Sequence, residues 1–267
     1  MFYEKSIQTT FRGIPSITAD VNDMVAQSGV KDGLCIVTVP HTTAALAITS
    51  FWDPRGLDDL MDEIDRNIPT RVSFLHQDSP YDASGHVKSA LIGGKKLLLV
   101  QNGKLVLGSS QGLVLLEFDG PRERCFQVQI LEKNLWTRRC ELTTVAMGMH
   151  DISESIADAV RDSGVTNGLC HISMLHSTAG ILVTDKSVAA REDVMEDIER
   201  LVPTRVDFKH RETAPDAGGH VKTAITDSQI TLIVADGKLV VGDDQAVYFA
   251  EFDGPRTRSY IVGVTEG

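Results

Sequence analysis

The sequence predicts an α+β protein: two tandem copies of an antiparallel sandwich or half-barrel, each with two helices. Three observations carry this expectation. Blocks of the first half return in the second at a constant spacing, apolar runs of strand length fill most of each copy, and two stretches per copy have helical periodicity with start and stop signals.

The repeat sets the domain plan. His41 returns as His176 (176 − 41 = 135), and SGVKDGLC at 28–35 returns as SGVTNGLC at 163–170, again 135 apart. GHVKSA at 85–90 returns as GHVKTA at 219–224, and DGPRER at 119–124 as DGPRTR at 253–258, both 134 apart. A one-residue deletion therefore falls between the first histidine and the second helix. A period this long is a domain rather than a solenoid unit. The expected domains are residues 1–132 and 133–267, joined near Glu132 to Asn134.

The elements follow in order. ITADVNDMVAQSG at 17–29 places Thr18 as an N-cap, Val21 and Val25 on one face, and Gly29 where a C-terminal cap belongs. ISESIADAVRDSG at 152–164 repeats this with Ser153 and Gly164. A second helix starts after Asp53-Pro54, carries Leu57, Leu60, Met61 and Ile64, and stops before Pro69. Its acidic run LDDLMDEID reads as a wet helix face rather than a magnesium site. LCIVTVP, KKLLLVQ, KLVLG, GLVLLEF and RCFQVQI read as strands, with hairpin turns at NGK (102–104) and DGK (236–238).

Composition bounds the function. Hydrophobic residues at 42% and charged ones at 24% describe an ordinary globular chain. A net charge of −11 argues against nucleic-acid partners, which require a basic face, but leaves room for a small anionic metabolite in a local basic pocket. FYEKSIQTT has no apolar signal-peptide core and no run is long enough for a membrane, so a cytoplasmic protein is expected. Of the four cysteines, none forms a CxxC pair, and Cys35 and Cys170 read as buried free thiols.

Three histidines per copy correspond: His41, His76 and His86 with His176, His210 and His220. Their neighbours drift (Gln77 to Arg211, Ser79 to Thr213, Pro80 to Ala214) while the imidazoles stay. Three neutral imidazoles suit a divalent metal, most simply zinc, and leave a position open for water or substrate. Asp82 and Asp216 are candidates to orient a ring from behind. Lys88 and Lys222 share a face with His86 and His220 if that segment is extended. Arg122 with Arg124, and Arg256 with Arg258, offer guanidinium forks for phosphate or carboxylate; pairing with Glu117 or Asp119 is the alternative. Gln111 and Gln245 open the strand before that turn as polar anchors.

HTTA, the helix after Asp-Pro, a histidine after Pro-Thr-Arg, GHVK, a Gly-x-x-Gln strand opening and EFDGPRxR occur in this order. Together they resemble the YjbQ family, small proteins that carry the label secondary thiamine-phosphate synthase. The resemblance covers both halves and implies a jelly-roll-like sandwich, a histidine-centred metal or ligand site, and assembly as a homo-oligomer, here a trimer of two-domain chains. It implies either a transferase of the thiamine-phosphate-synthase kind acting on a phosphorylated metabolite, or a non-catalytic metal- or metabolite-binding module. Where the family carries a glutamate after HTTA, the first copy has Ser50 and the second Asp185, so the second site is expected to be the more anionic.

Overall fold

A computed structural model describes residues 1–71, 73–76, 78–205 and 207–267; Gln77, one of the drifting positions, lies outside them. The chain divides into two compact units, residues 1–106 with 110–132, and residues 107–109 with 133–267.

The first unit contains β1 (Phe2–Gln8), α1 (Thr18–Ser28), β2 (Gly33–Thr38), β3 (Ala44–Ser50), α2 (Pro54–Asn67) and α3 (Asp82–Ile92). It continues with β4 (Lys95–Gln101), β5 (Lys104–Leu105), β6 (Gln111–Glu117) and β7 (Glu123–Glu132). One curled sheet has the order β1-β7-β2-β4-β5, and β3 pairs with β6 in a second layer. Every pairing is antiparallel. β7 shows the cause in its sequence: Arg124, Phe126, Val128 and Ile130 alternate inward while their neighbours face out. Val21 and Val25 of α1 and Val37 and Leu98 of the sheet are fully buried, so the helix closes the curl by removing its apolar stripe from water.

The second unit repeats the design with β8 (Leu135–Thr143), β9 (Gly148–Asp151), α4 (Ser153–Ser163), β10 (Gly168–Met174), β11 (Ala179–Asp185) and α5 (Val188–Leu201). It ends with α6 (Asp216–Thr226), β12 (Gln229–Ala235), β13 (Lys238–Leu239), β14 (Gln245–Glu251) and β15 (Thr257–Glu266). Its sheets have the orders β13-β12-β10-β15-β8 and β11-β14-β9. Ile156, Val160, Ile172, Phe249, Val262 and Val264 form its core. No helix among the described residues is long and apolar enough to cross a membrane.

Local signals behave as the sequence implies where the chemistry is local. Gly29 and Gly164 end their helices at φ 74° and 72°, in the left-handed region. Asn102-Gly103 and Asp236-Gly237 turn their hairpins with positive φ at both positions. Asp53 caps α2 through Arg55 N–H, with Pro54 in the first turn. Asp59 and Glu63 of that helix are buried rather than wet, Glu63 taking the Arg66 guanidinium with both oxygens. Thr18 and Ser153 are not caps, because their hydroxyls are spent on the sheet, accepting from Leu113 N–H at 2.8 Å and Val247 N–H at 2.9 Å. Cys35 and Cys170 are buried thiols, which burial pushes up to about 12.

The largest correction is a third helix in each unit, α3 and α6, where the sequence pattern gives two. DASGHVKSALI and DAGGHVKTAIT carry glycines that weaken any isolated helix. Packing against β3 and β11 overrides that preference. Lys88 and His86, two apart on a helix, consequently do not share a face.

Candidate metal centre

The HTTA turn joins β2 to β3 and acts as a bracket. His41 Nε2 accepts the backbone N–H of Cys125 at 2.9 Å, Thr42 O accepts from His86 Nδ1 at 3.0 Å, and Thr43 Oγ1 accepts from Arg124 Nη2 at 2.8 Å. The second copy repeats each bond, from Ser259 N–H to His176 at 2.8 Å, from His220 Nδ1 to Ser177 O at 3.0 Å, and from Arg258 to Thr178 at 3.0 Å. Burial holds His176 down to about 4, with Arg258 adding, and lowers His41 in the same way, so both rings are neutral acceptors. His41 and His176 are therefore placed as backbone anchors, and among the described residues neither belongs to a converging donor group.

What converges instead is His76, Asp82 and His86, and in the second copy His210, Asp216 and His220. In each trio the donor atoms lie within 4.8 Å of one another. His76 Nε2 stands 3.2 Å from Asp82 Oδ2, and His210 Nε2 3.3 Å from Asp216 Oδ2. Ligand bonds of zinc to nitrogen and oxygen set a tetrahedral edge of about 3.3 Å, so the spacing fits a shared ion. An imidazole–carboxylate contact alone has the same spacing. The second imidazole favours the ion: His86 converges on the same group, and donating Nδ1–H to Thr42 O leaves its Nε2 with a lone pair.

Asp82 and Asp216 thus stand in the donor set rather than behind a ring. Burial pushes the Asp82 carboxyl up, but the N–H groups of Ser79, Ala83 and Asp78 outweigh it and, with His76, hold it below the ordinary value. It is an anion prepared to ligate. Asp82 and His86 are four apart, one helical turn, which places both on one face of α3. That helix approaches closely because of Gly85, where a Cβ would lie 3.1 Å from Thr43 Cγ2. Thr43 is pinned by Arg124 and by Phe118 N–H, so Gly85→Ala is expected to cost about 1 kcal/mol net, overpacking exceeding the gain in helix propensity. Urea midpoints check this; an Ala variant more stable than the parent refutes it.

The remaining expected residues are engaged within the fold. Lys88 pairs with Asp65 at 2.5 Å and Lys222 with Glu199 at 2.5 Å, both lysines being buried. Arg122 and Arg256 grip Asp119 and Asp253, so the guanidinium forks close on their own turn. Asp119 and Asp253 also accept from Ser79 and Thr213 at 2.6 Å, tying each histidine loop to that turn; the repeated EFDGPR was their signal in the sequence. Gln111 is buried at the start of β6, whereas Gln245 is exposed and accepts Gly242 N–H. Asp185 accepts Ser187 N–H at 2.7 Å from an exposed position and is not one of the converging donors of the second trio.

The profile described as UPF0047 protein YjbQ-like matches twice, over residues 4–133 and 138–267. A UPF0047 protein of Methanocaldococcus jannaschii is 36% identical over 132 residues, spanning 49% of this chain and 94% of that protein. YugU of Bacillus subtilis is 32% identical over 126 residues, spanning 47% and 95%. A crystal structure of a protein of unknown function from Sulfolobus solfataricus covers 50% of this chain and 99% of its own, at 26% identity and a TM-score of 0.48. The Methanocaldococcus and Bacillus relatives are thus each the size of one unit. The chain belongs to the YjbQ-like UPF0047 family, as a tandem of two family repeats.

Proposed function

We propose that the protein binds a divalent transition metal, zinc foremost, in its His-Asp-His trios and uses it to hold a small phosphorylated metabolite. The observation that carries this reading is the convergence, in both copies, of two imidazoles and a carboxylate, with one imidazole fixed by a backbone carbonyl. When bound there, a zinc ion supplies Lewis acidity toward a phosphoryl or carbonyl oxygen. The chain's own residues set the geometry: Thr42 and Ser177 orient one ring, and the backbone around Asp82 and Asp216 keeps the carboxylates aimed.

Between a thiamine-phosphate-synthase-like transferase and a non-catalytic binding module, the second is favoured. Lys88, Lys222, Arg122 and Arg256, the cations expected to handle a phosphate, are all committed to internal carboxylates. The proposed assembly is a homo-oligomer, a trimer of two-domain chains, and light scattering that returns a monomer refutes it.

The test is calorimetric titration of apo protein purified without a nickel column. Two equivalents of Zn²⁺ per chain are expected, one for His86→Ala, and none for His86→Ala with His220→Ala. Loss of a direct ligand should weaken its site by at least about 100-fold. An intact chain that takes up no zinc, or a double variant that keeps both equivalents, overturns the reading.

A further inference from the structure

The two copies of the centre differ in access. The His76 side chain is 51% exposed, whereas that of His210 is 6% exposed. His86 is half-buried and His220 buried. His76 of the first trio lines a cavity of about 440 Å³, together with Thr70, Arg71, Phe74, Asp78 and Ser79, a size that suits a small metabolite.

Twin positions explain the difference. Phe208 is buried and packs against the open side of Gly218 in the first turn of α6, with a ring carbon 3.6 Å from where a Cβ would sit. The twin of Gly218 is Ser84, whose hydroxyl occupies that space and bonds Thr70 Oγ1 at 3.0 Å, and the twin ring, Phe74, is only half-buried. Charge follows the same line. Arg205 has a carboxylate beside it, Asp207, with Nε 3.3 Å from Oδ1. The twin of Asp207 is Ser73, and among the described residues no carboxylate pairs with Arg71, whose guanidinium lies 4.7 Å over the Phe74 ring. The first copy therefore offers a donor trio, room and an uncommitted cation, and the second offers a sealed trio.

Building on the metal reading above, we propose that the repeats divide the work. The His76–Asp82–His86 centre accepts the anionic group of a phosphorylated ligand with the help of Arg71, and the His210–Asp216–His220 centre is a closed structural site. A planar guanidinium beside an exposed centre is suited to phosphate oxygens. A buried trio has no room for an outside ligand and releases its ion only when the surrounding segment opens.

Cobalt(II) is the probe, because its visible absorption reports a change of ligand. The full chain is loaded with two equivalents and challenged with EDTA. Half the cobalt is expected to leave at once and half on the order of 100-fold more slowly, as local opening of a buried segment dictates. His76→Ala, at an exposed side chain, should abolish the fast half alone. Inorganic phosphate should perturb only the fast-exchanging cobalt, and Arg71→Ala should weaken that response by about 10-fold or more without altering cobalt loading. A single release rate for both equivalents, or a phosphate response that survives His76→Ala or is untouched by Arg71→Ala, overturns the division of work and leaves the metal reading standing. A chain that takes up no cobalt overturns the metal reading itself, and this inference with it.

Discussion

Glu117→Gln is expected to destabilise the first unit by about 3–5 kcal/mol, the usual cost of leaving one member of a buried ion pair alone. Glu117 is fully buried, its Oε1 and Oε2 take Arg124 at 2.6 and 2.7 Å, and Thr9 and the N–H of Asp119 fill its other acceptor sites. Glutamine keeps the shape but strands the guanidinium in a dry site. Glu251→Gln should do the same to the second unit through Arg258. Burial raises the Glu117 carboxyl, but Arg124 and the other donors outweigh it and the net shift is downward. Its contribution is therefore complete above the ordinary carboxylate range and lost as pH falls through the lower folded value. Urea unfolding at pH 7 and in acid measures both effects. A loss below about 1 kcal/mol at pH 7 would show that the pair is better solvated than its burial implies.

The second unit is expected to carry an acid sensitivity at a strand position where the first unit has no titratable group. His171 on β10 is fully buried, its Nδ1 bonds Thr231 Oγ1 at 2.9 Å, and its Nε2 has no partner among the described residues. Burial, only partly opposed by Asp227, holds this ring down to about 4. The folded value lies below the unfolded one near 6.5, so protons bind the unfolded chain first. Stability is then full above about 6.5 and falls by up to about 3 kcal/mol on the way to 4. The twin position holds Ile36 and the twin of Thr231 is Leu97, so His171→Ile with Thr231→Leu imports the arrangement of the first repeat. That variant should lose the His171 share of the slope between pH 6.5 and 4, read from urea midpoints at stepped pH, and His176, held down to about 4 as well, keeps the remainder. An unchanged slope would assign the acid response to other groups.

How far the sequence carries depends on whether each signal is local. The Asp53-Pro54 helix start, the glycine caps and the Asn-Gly and Asp-Gly hairpins depend only on neighbours, and all are found. The α3 helix depends on β3, and the glycine that makes the approach possible is the residue that weakens the helical reading. This miss propagated into the site. Once 82–92 is helical, the Asp82/His86 spacing of four marks one ligating face, and Lys88 falls off it. His41 was misplaced because its partner, the backbone of Cys125, is distant in sequence. Asp185 follows from family likeness and Gln245 from its place at a strand opening, and the N–H groups of Ser187 and Gly242 donate to them.

The donors of each centre fall within one short contiguous stretch, His76 to His86 or His210 to His220. Loop closure over so few residues is entropically cheap and fast, on the order of 10–100 ns in a flexible chain, whereas the sheets must join β1 to β7 across most of a repeat. On the proposed metal reading, an ion would be captured by a partly folded chain before the sheet closes, with Thr42 or Ser177 arriving later to lock the ring. Duplication likewise copied each centre as an intact cassette, so one copy could be sealed and the other left open by changes confined to the loop and one helical turn.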